Sequence, residues 1–221
     1  MATHLRLTVA DDSEILCSPK RRLHQRILKW VIDLFGALTL LLLLSPLLLL
    51  IALLIVVTDG FPIHYLRRVV GSRGEFNAYK FRTMCRDADA VLELNPELRE
   101  EFRQNFKLQS DPRVTRVGVW LRKFSLDEFP QLVNVVKGQM SLVGPRMITA
   151  QELSKYGEYQ DLLMTVRPGL TGYWQTRGRQ DVCYEERVRM DVYYIRQWNL
   201  ALDLRILLET PWKVIKGKGA Y

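Results

Sequence analysis

From position 34 to 58 the chain reads LFGALTLLLLLSPLLLLIALLIVVT, 25 residues without a charge. As a straight helix this stretch would run roughly 38 Å, more than the hydrocarbon core of a bilayer at about 30 Å. A helix apolar on every side has no place on the surface of a soluble domain. A cleaved signal peptide would have an apolar region about half as long, and VVTDGFP offers no small-x-small cleavage pattern. The segment therefore belongs in a membrane. Ser45 and Pro46 lie near its middle. Proline inside a helix removes one backbone donor and crowds the preceding turn. Two placements follow: a kinked spanning helix, or a re-entrant helix that bends at Ser45-Pro46 and returns to the face it entered. Charge separates them. Lys20, Arg21, Arg22, Arg26 and Lys29 precede the run, and Arg67, Arg68, Arg73, Lys80 and Arg82 follow it. Lys and Arg mark the cytoplasmic side, so basic flanks at both ends favour re-entry.

The rest of the 221 residues divides around this anchor. Residues 1–19 are expected as a flexible polar tail, 20–58 as the membrane helix and 59–221 as a cytoplasmic globular domain. FPIHYLRRVV and FNAYKFRTM read as two strands around a glycine turn at 71–74. RDADAVLEL, PELREEFRQNFKL (opened by Pro96) and TRVGVWLRKF read as helices. QELSKYGEYQDLLMTV is helical with a break near Gly157, and RPGLTGYWQT is a tight turn followed by a strand. YEERVRMDVYYIRQW and LALDLRILLETPWKVIK are two more helices, the last interrupted by Pro211. Trp212 and Lys213 give that helix two readings, an interfacial anchor or an amphipathic core helix. The fold class is thus α+β, mostly helical with a small β-sheet. Cys17, Cys85 and Cys183 are scattered and odd in number, which argues against a disulfide framework or a zinc site. A net charge of +8 calls for an anionic partner. No basic-aromatic motif or recognition helix points to nucleic acid.

The segment RKFSLDEFPQ sets Asp127 and Glu128 side by side behind Arg122 and Lys123. Ser125 and Glu128 match the capping-box pattern S-x-x-E, with FPQLVNVVKG continuing a helix to a stop at Gly138. On that reading the acids only cap a helix. The same position has a chemical use. A carboxylate at a helix N-terminus is held ionised by the macrodipole, and such a terminus also binds phosphate, so an ionised Asp there suits a carboxylate nucleophile. Two adjacent acids need a cation between them, and a divalent ion shared with phosphate oxygens would serve. YKFRTM places Lys80 and Arg82 on one face of a strand, a plausible phosphate clamp. SLVGPRM puts Arg146 at the tip of a Gly-Pro turn. VRPGLTGYWQTRGR adds Arg167, Gln175, Arg177 and Arg179.

In order, the Ser45-Pro46 break, YKFRTM, LRKFSLDEFPQLVNVVKGQMSLVGPRM, RPGLTGYWQTRGR and the ending WKVIKGKGAY resemble the monotopic phosphoglycosyl transferases, bacterial sugar transferases that begin exopolysaccharide, capsule and O-antigen assembly. The resemblance covers nearly the whole chain from Arg26. It implies a re-entrant helix broken at Ser45-Pro46, and an Asp-Glu dyad at Asp127 and Glu128. In such enzymes the Asp attacks the β-phosphate of a nucleotide sugar, here expected to be a UDP-sugar. A nucleoside monophosphate leaves, and polyprenyl phosphate takes the phosphosugar from the enzyme. Mg2+ is the implied cofactor with Glu128 as its ligand, and Lys80, Arg82, Arg122, Arg146, Arg167 and Gln175 are the implied substrate-binding residues. The implied place is the cytoplasmic face of the bacterial inner membrane, where membrane lipids, a cytosolic nucleotide sugar and a membrane-bound carrier meet. A homodimer is compatible with this. Met147 stands where many relatives have proline after Gly-Pro-Arg, and LRRVV lacks the common Gln-x-Arg-Val-Gly form, so Arg67 and Arg68 receive no role. The chain also lacks the N-terminal transmembrane bundle of larger relatives and reads as a minimal catalytic unit. The competing reading is an anchored protein that binds anionic lipid or phosphosugar without catalysis and has no need of Asp127.

Overall fold

The computed structural model describes residues 23–105, 108, 111–177 and 182–215. The tail at 1–19, Lys20, Arg21, Arg22, Arg179 and the last residues of the terminal motif lie outside the described residues. One long helix, α1 (Leu23–Asp59), leads into a hairpin of β1 (His64–Gly71) and β2 (Gly74–Phe81). Helices α2 (Ala88–Glu93), α3 (Pro96–Asn105) and α4 (Arg116–Lys123) follow, then a 3-10 turn (Leu126–Gln131) running into α5 (Leu132–Val136). The remainder is β3 (Ser141–Val143), α6 (Ala150–Leu153), a second 3-10 turn, α7 (Gln160–Met164), β4 (Gly169–Thr171), α8 (Tyr173–Arg177), α9 (Tyr184–Gln197) and α10 (Leu200–Ile215). The α+β expectation stands, mostly helical, but with two small sheets instead of one. β1 and β2 pair antiparallel, with Gly71 opposite Gly74 at the turn, and β3 pairs parallel with β4.

Three local expectations are corrected. YWQT forms α8, and the strand is the GLT before it. Pro211 lies inside α10 without interrupting it. Ser125 adopts φ 52°, ψ 25° and makes no side-chain capping bond. An N-cap needs extended backbone, and Ser125 is instead the left-handed corner that turns the chain two residues after α4 ends. The capping box lies elsewhere, at Thr149 and Glu152 on α6. The break near Gly157 is present, with φ 54°, ψ −126° at that residue.

Helix α1 carries a single inward stripe. Lys29, Asp33, Ala37, Ile51 and Ile55 are buried. Leu40, Leu41 and Leu44 pack against the main core, and Leu48 and Ala52 against a second cluster with Phe81 and Leu121. The spacing of three and four keeps these residues on one face. The other faces are leucine: Leu42, Leu43, Leu49 and Val57 are each about 70% exposed or more (76, 69, 71 and 74%). Only 11% of the most apolar stretch is buried, which is unlike a core helix and fits a helix whose outer side meets lipid. α1 remains helical through Ser45-Pro46. The N–H that Pro46 lacks would have bonded the carbonyl of Leu42, and the Ser45 hydroxyl donates to that carbonyl at 2.8 Å. The Ser-Pro pair thus supplies a donor for the carbonyl its own proline leaves without one.

The N-terminal third of α1 is fastened by a buried ionic network. Lys29 Nζ lies 3.1 Å from Asp33 Oδ1 and 2.9 Å from Asp203 Oδ2, and donates to the Val143 carbonyl at 3.1 Å. Ser141 Oγ and the Leu142 amide donate to Asp33 Oδ1, each at 3.0 Å. Tyr194 and Trp198 donate to Asp203 at 2.7 and 3.0 Å. One side chain ties α1 to β3 and α10. Removing one member of a buried ionic set strands the others, at about 3–5 kcal/mol. Lys29→Met is expected to lower stability by that order, read as a large fall in Tm of the detergent-solubilised protein. A Tm within 1–2 °C of wild type would show that the network holds nothing.

Candidate active site

A cleft of about 1950 Å³ runs between the β1–β2 hairpin, the Leu126–Gln131 turn, α1 and α8–α10. Lys80, Arg82, Arg122, Asp127, Glu128, Arg146 and Gln175 all line it. The local sequence fixes each. Asn134 on α5 accepts from the Tyr79 amide at 3.0 Å and donates to the Asn77 carbonyl at 2.8 Å. This docks β2 beside the turn that carries the acids, one residue from Lys80. Gly118 lets α4 approach the next segment, since a Cβ there would sit 2.1 Å from the Thr83 carbonyl oxygen. Arg122, one turn on, donates from Nε to Thr83 Oγ1 at 3.0 Å. Arg146 is aimed by a contact between backbones: a Cβ on Gly169 would lie 2.1 Å from the Gly144 nitrogen, and the Gly169 amide donates to the Pro145 carbonyl at 2.8 Å.

Asp127 is 8% exposed. Lys80 Nζ contacts Glu128 Oε1 at 2.5 Å and stands 3.9 Å from Asp127 Oδ2. The two carboxylates differ in state. Burial, reinforced by Glu128, pushes the Asp127 carboxyl up to about 6 against the pull of Lys80 and Arg122. Burial also acts on Glu128, but Lys80 together with Arg146 and Arg67 outweighs it and holds that carboxyl below its usual range. The macrodipole expected to keep Asp127 ionised is not its main influence, because it sits in a 3-10 turn after a left-handed residue. Left-handed backbone at a residue other than glycine costs about 1–2 kcal/mol, and such strain collects at functional sites.

The remaining expected residues separate. Arg82 lines the cleft, but its Nη2 donates to the carbonyls of Asp59 and Gly60 at the end of α1, both at 2.6 Å, while Nε and Nη1 are buried without a partner. Arg167 does not line the cleft. Burial lowers its guanidinium affinity for a proton while Asp33 opposes this, so its environment is shared with the α1 network. Arg67, given no role from sequence, pairs with Glu152 at 3.0 Å and also acts on Glu128. Arg68 pairs with Glu75 on the exposed hairpin. Sequence reasoning passed over Tyr156, Tyr184, Arg187 and Asp191, all in the cleft wall. Arg187 and Asp191 are four apart and share a face of α9, a signal that any amphipathic helix gives.

Among the described residues no three His, Cys, Asp or Glu side chains converge. A cation at the Asp127–Glu128 pair would therefore take its other ligands from water and bound phosphate. That donor set suits Mg2+, which keeps several waters and rarely sits in an all-protein cage. Cys85 and Cys183 are free thiols.

The Asp127 shift gives a stability prediction. Its folded pKa is raised above the unfolded value, so the ionised carboxylate destabilises the fold above about pH 6. That cost is relieved as pH falls through 6 and is gone near 4. Asp127→Asn is expected to raise stability at pH 7 by roughly 3 kcal/mol and to leave it nearly unchanged at pH 4. Thermal melts at the two pH values measure this, and a destabilised Asn variant at pH 7 would contradict it.

A family model described as bacterial sugar transferase matches residues 24–217. The chain is 46% identical over 194 residues to the exopolysaccharide production protein ExoY of Rhizobium meliloti, covering 86% of each chain. It is 44% identical over 200 residues to the UDP-galactose-lipid carrier transferase of Erwinia amylovora, covering 89% of this chain and 42% of the relative. It is also 44% identical over 201 residues to the undecaprenyl-phosphate galactose phosphotransferase of Salmonella typhimurium, again with 89% and 42% coverage. The chain thus spans about two fifths of the length of these last two relatives.

Proposed function

The chain belongs to the bacterial sugar transferase family, and from that premise we propose that it transfers a sugar 1-phosphate from a UDP-sugar to polyprenyl phosphate. The reaction would begin exopolysaccharide, capsule or O-antigen assembly. The observation that carries this reading is the buried Asp127 carboxylate, raised to about 6 yet mostly ionised at neutral pH, facing a basic cleft. A protein that only bound lipid or phosphosugar would gain nothing from such a group.

Asp127 acts as the nucleophile. One of its oxygens attacks the β-phosphorus, the bond to the bridging oxygen breaks, and UMP leaves with that electron pair. The sugar phosphate remains on Asp127 as a mixed anhydride, with its sugar–oxygen bond intact. A phosphate oxygen of the polyprenyl carrier then attacks the same phosphorus and frees the carboxylate. Lys80 and Arg122 offset charge on the phosphates in a partly dry site, where charge-assisted hydrogen bonds are strong. Glu128, held ionised, orients Lys80 and would hold Mg2+ together with substrate phosphates and water. When bound, the ion would supply neutralisation of phosphate charge. Arg146 extends the basic wall toward α8.

The anchor suits a carrier confined to the membrane. The inward stripe of α1 touches the same globular domain from Lys29 to Ile55. A straight helix of this length, roughly 55 Å, would carry one end away from that domain if it spanned the bilayer. This supports a re-entrant helix bent at Ser45-Pro46, with both ends on the cytoplasmic face of the inner membrane.

Two measurements test the reading. With nucleotide sugar and no acceptor, mass spectrometry is expected to find a hexose-phosphate adduct on the peptide containing Asp127. Asp127→Asn should abolish it and reduce turnover by several orders of magnitude. An active Asn variant, or an adduct on another residue, would end the mechanism. For topology, single cysteines at Ser13 and Arg73 in a cysteine-free background are expected to be shielded from an impermeant reagent in intact cells and labelled after lysis. Labelling of Ser13→Cys from outside would mean a spanning helix.

A further inference from the structure

Beyond Glu128 the cleft holds a group of side chains that the chemistry at Asp127 does not use. Trp174 on α8 carries two guanidinium groups on its ring, Arg146 with Cζ 5.3 Å and Arg187 with Cζ 4.9 Å from the centroid. Arg146 also acts on Glu128, so the row of cations is continuous with the reacting centre. The acids within electrostatic reach of Arg187 do not neutralise it. Glu152 pairs with Arg67 at 3.0 Å and closes the capping box of α6. Asp191 accepts from the Tyr156 hydroxyl at 2.8 Å, and burial raises its carboxyl to about 7, so it is only partly ionised at neutral pH. Two guanidiniums held together on one ring without a full counter-charge make an anion site.

The polar atoms around them say more about the anion. Trp174 Nε1, Tyr184 OH, Arg187 Nε and Gln175 Oε1 are all buried without a hydrogen-bond partner, and all four residues line the cleft. Folded proteins leave few such atoms orphaned, and a cluster of them asks for a ligand. The set mixes donors with an acceptor. A polyprenyl chain has no group to meet any of them. The bridging phosphates of a nucleotide have only acceptors and by themselves leave the Gln175 oxygen unmet. A nucleoside monophosphate supplies phosphate oxygens for the arginines and Trp174, and ribose hydroxyls and base edges for Gln175 and Tyr184.

We propose that Arg146, Trp174, Gln175, Tyr184 and Arg187 form the subsite for the leaving nucleoside monophosphate, with Arg187 its specificity-determining cation. The proposal rests on the nucleotide-sugar reading of the cleft. The β-phosphate lies at Asp127, the α-phosphate meets Arg146 and Arg187, and the nucleoside rests among Trp174, Gln175 and Tyr184. On this arrangement Arg187 acts in donor binding and product release and has no contact with the acceptor.

The test uses the full chain in lipid nanodiscs, with UMP as the probe for binding and UDP-sugar and polyprenyl phosphate varied separately in turnover. Arg187→Ala is expected to weaken UMP binding at least tenfold and to raise KM for the UDP-sugar by a similar factor, with KM for polyprenyl phosphate within twofold. Arg187→Lys and Tyr184→Phe should each give a smaller loss of UMP binding, which keeps the test open if the alanine variant folds poorly. Galactose 1-phosphate, which shares the phosphate but has no nucleoside, should bind the wild type much more weakly than UMP. UMP affinity within twofold of wild type in all three variants would overturn the subsite, as would a rise in KM for polyprenyl phosphate instead of the donor. Those outcomes leave the Asp127 adduct standing. A wild-type protein that forms no adduct and releases no UMP from any UDP-sugar would sink both readings.

Discussion

Burial of one carboxylate is the constraint around which this domain is arranged. Asp127 is removed from water and pays for it in proton affinity, yet two cations keep it mostly charged at neutral pH. Each nearby peculiarity of the chain serves that balance. Ser125 takes a left-handed corner so that the acids enter on a 3-10 turn and face the cleft. Asn134 bonds the backbone of β2 and sets Lys80 against Glu128. Gly118 and the Gly144–Gly169 contact bring Arg122 and Arg146 close.

The different proton affinities of the two acids follow from their positions. They are neighbours in sequence, but Glu128 touches Lys80 directly while Asp127, the less exposed of the two, stands off by more than an ångström. The nearer cation holds the Glu128 carboxyl below its usual range, and Asp127 remains the more basic of the two. Pairs of titratable groups driven apart in this way mark acid, base and nucleophile assignments in many enzymes.

Much of this was legible in the sequence, and the failures have physical causes. The uncharged run was read as a membrane segment, and α1 is long and apolar enough to be one. Asp127, Glu128, Lys80, Arg122, Arg146 and Gln175 do meet in one cleft. Ser125 was read as a cap because S-x-x-E is the same string whether or not the first residue is extended. Thr149 and Glu152 carry an equivalent pattern and form the real box. Arg82 was placed by strand alternation, but β2 ends at Phe81 and the side chain turns to the carbonyls at the end of α1. Arg187 and Asp191 were passed over because their neighbours, Trp174 on α8 and Tyr156, meet them only in the fold. Lys29 was counted as a flank charge and is instead buried in the domain.

That last residue has a consequence for how the protein is made. Lys29 reaches three parts of the chain, and the partner on α10, Asp203, is synthesised last. At about 5–20 residues per second the ribosome needs roughly 10–35 s to travel from one to the other. During that interval the anchor has emerged while its own domain does not yet exist. Asp33, one turn away on the same helix, is the partner that arrives with Lys29. The local pair gives Lys29 a partner before the rest of the network exists, and Asp203 later converts this provisional pairing into attachment. The order of translation thus runs from α1 to the rest of the domain, and α10 closes over a charge that had been paired from the start.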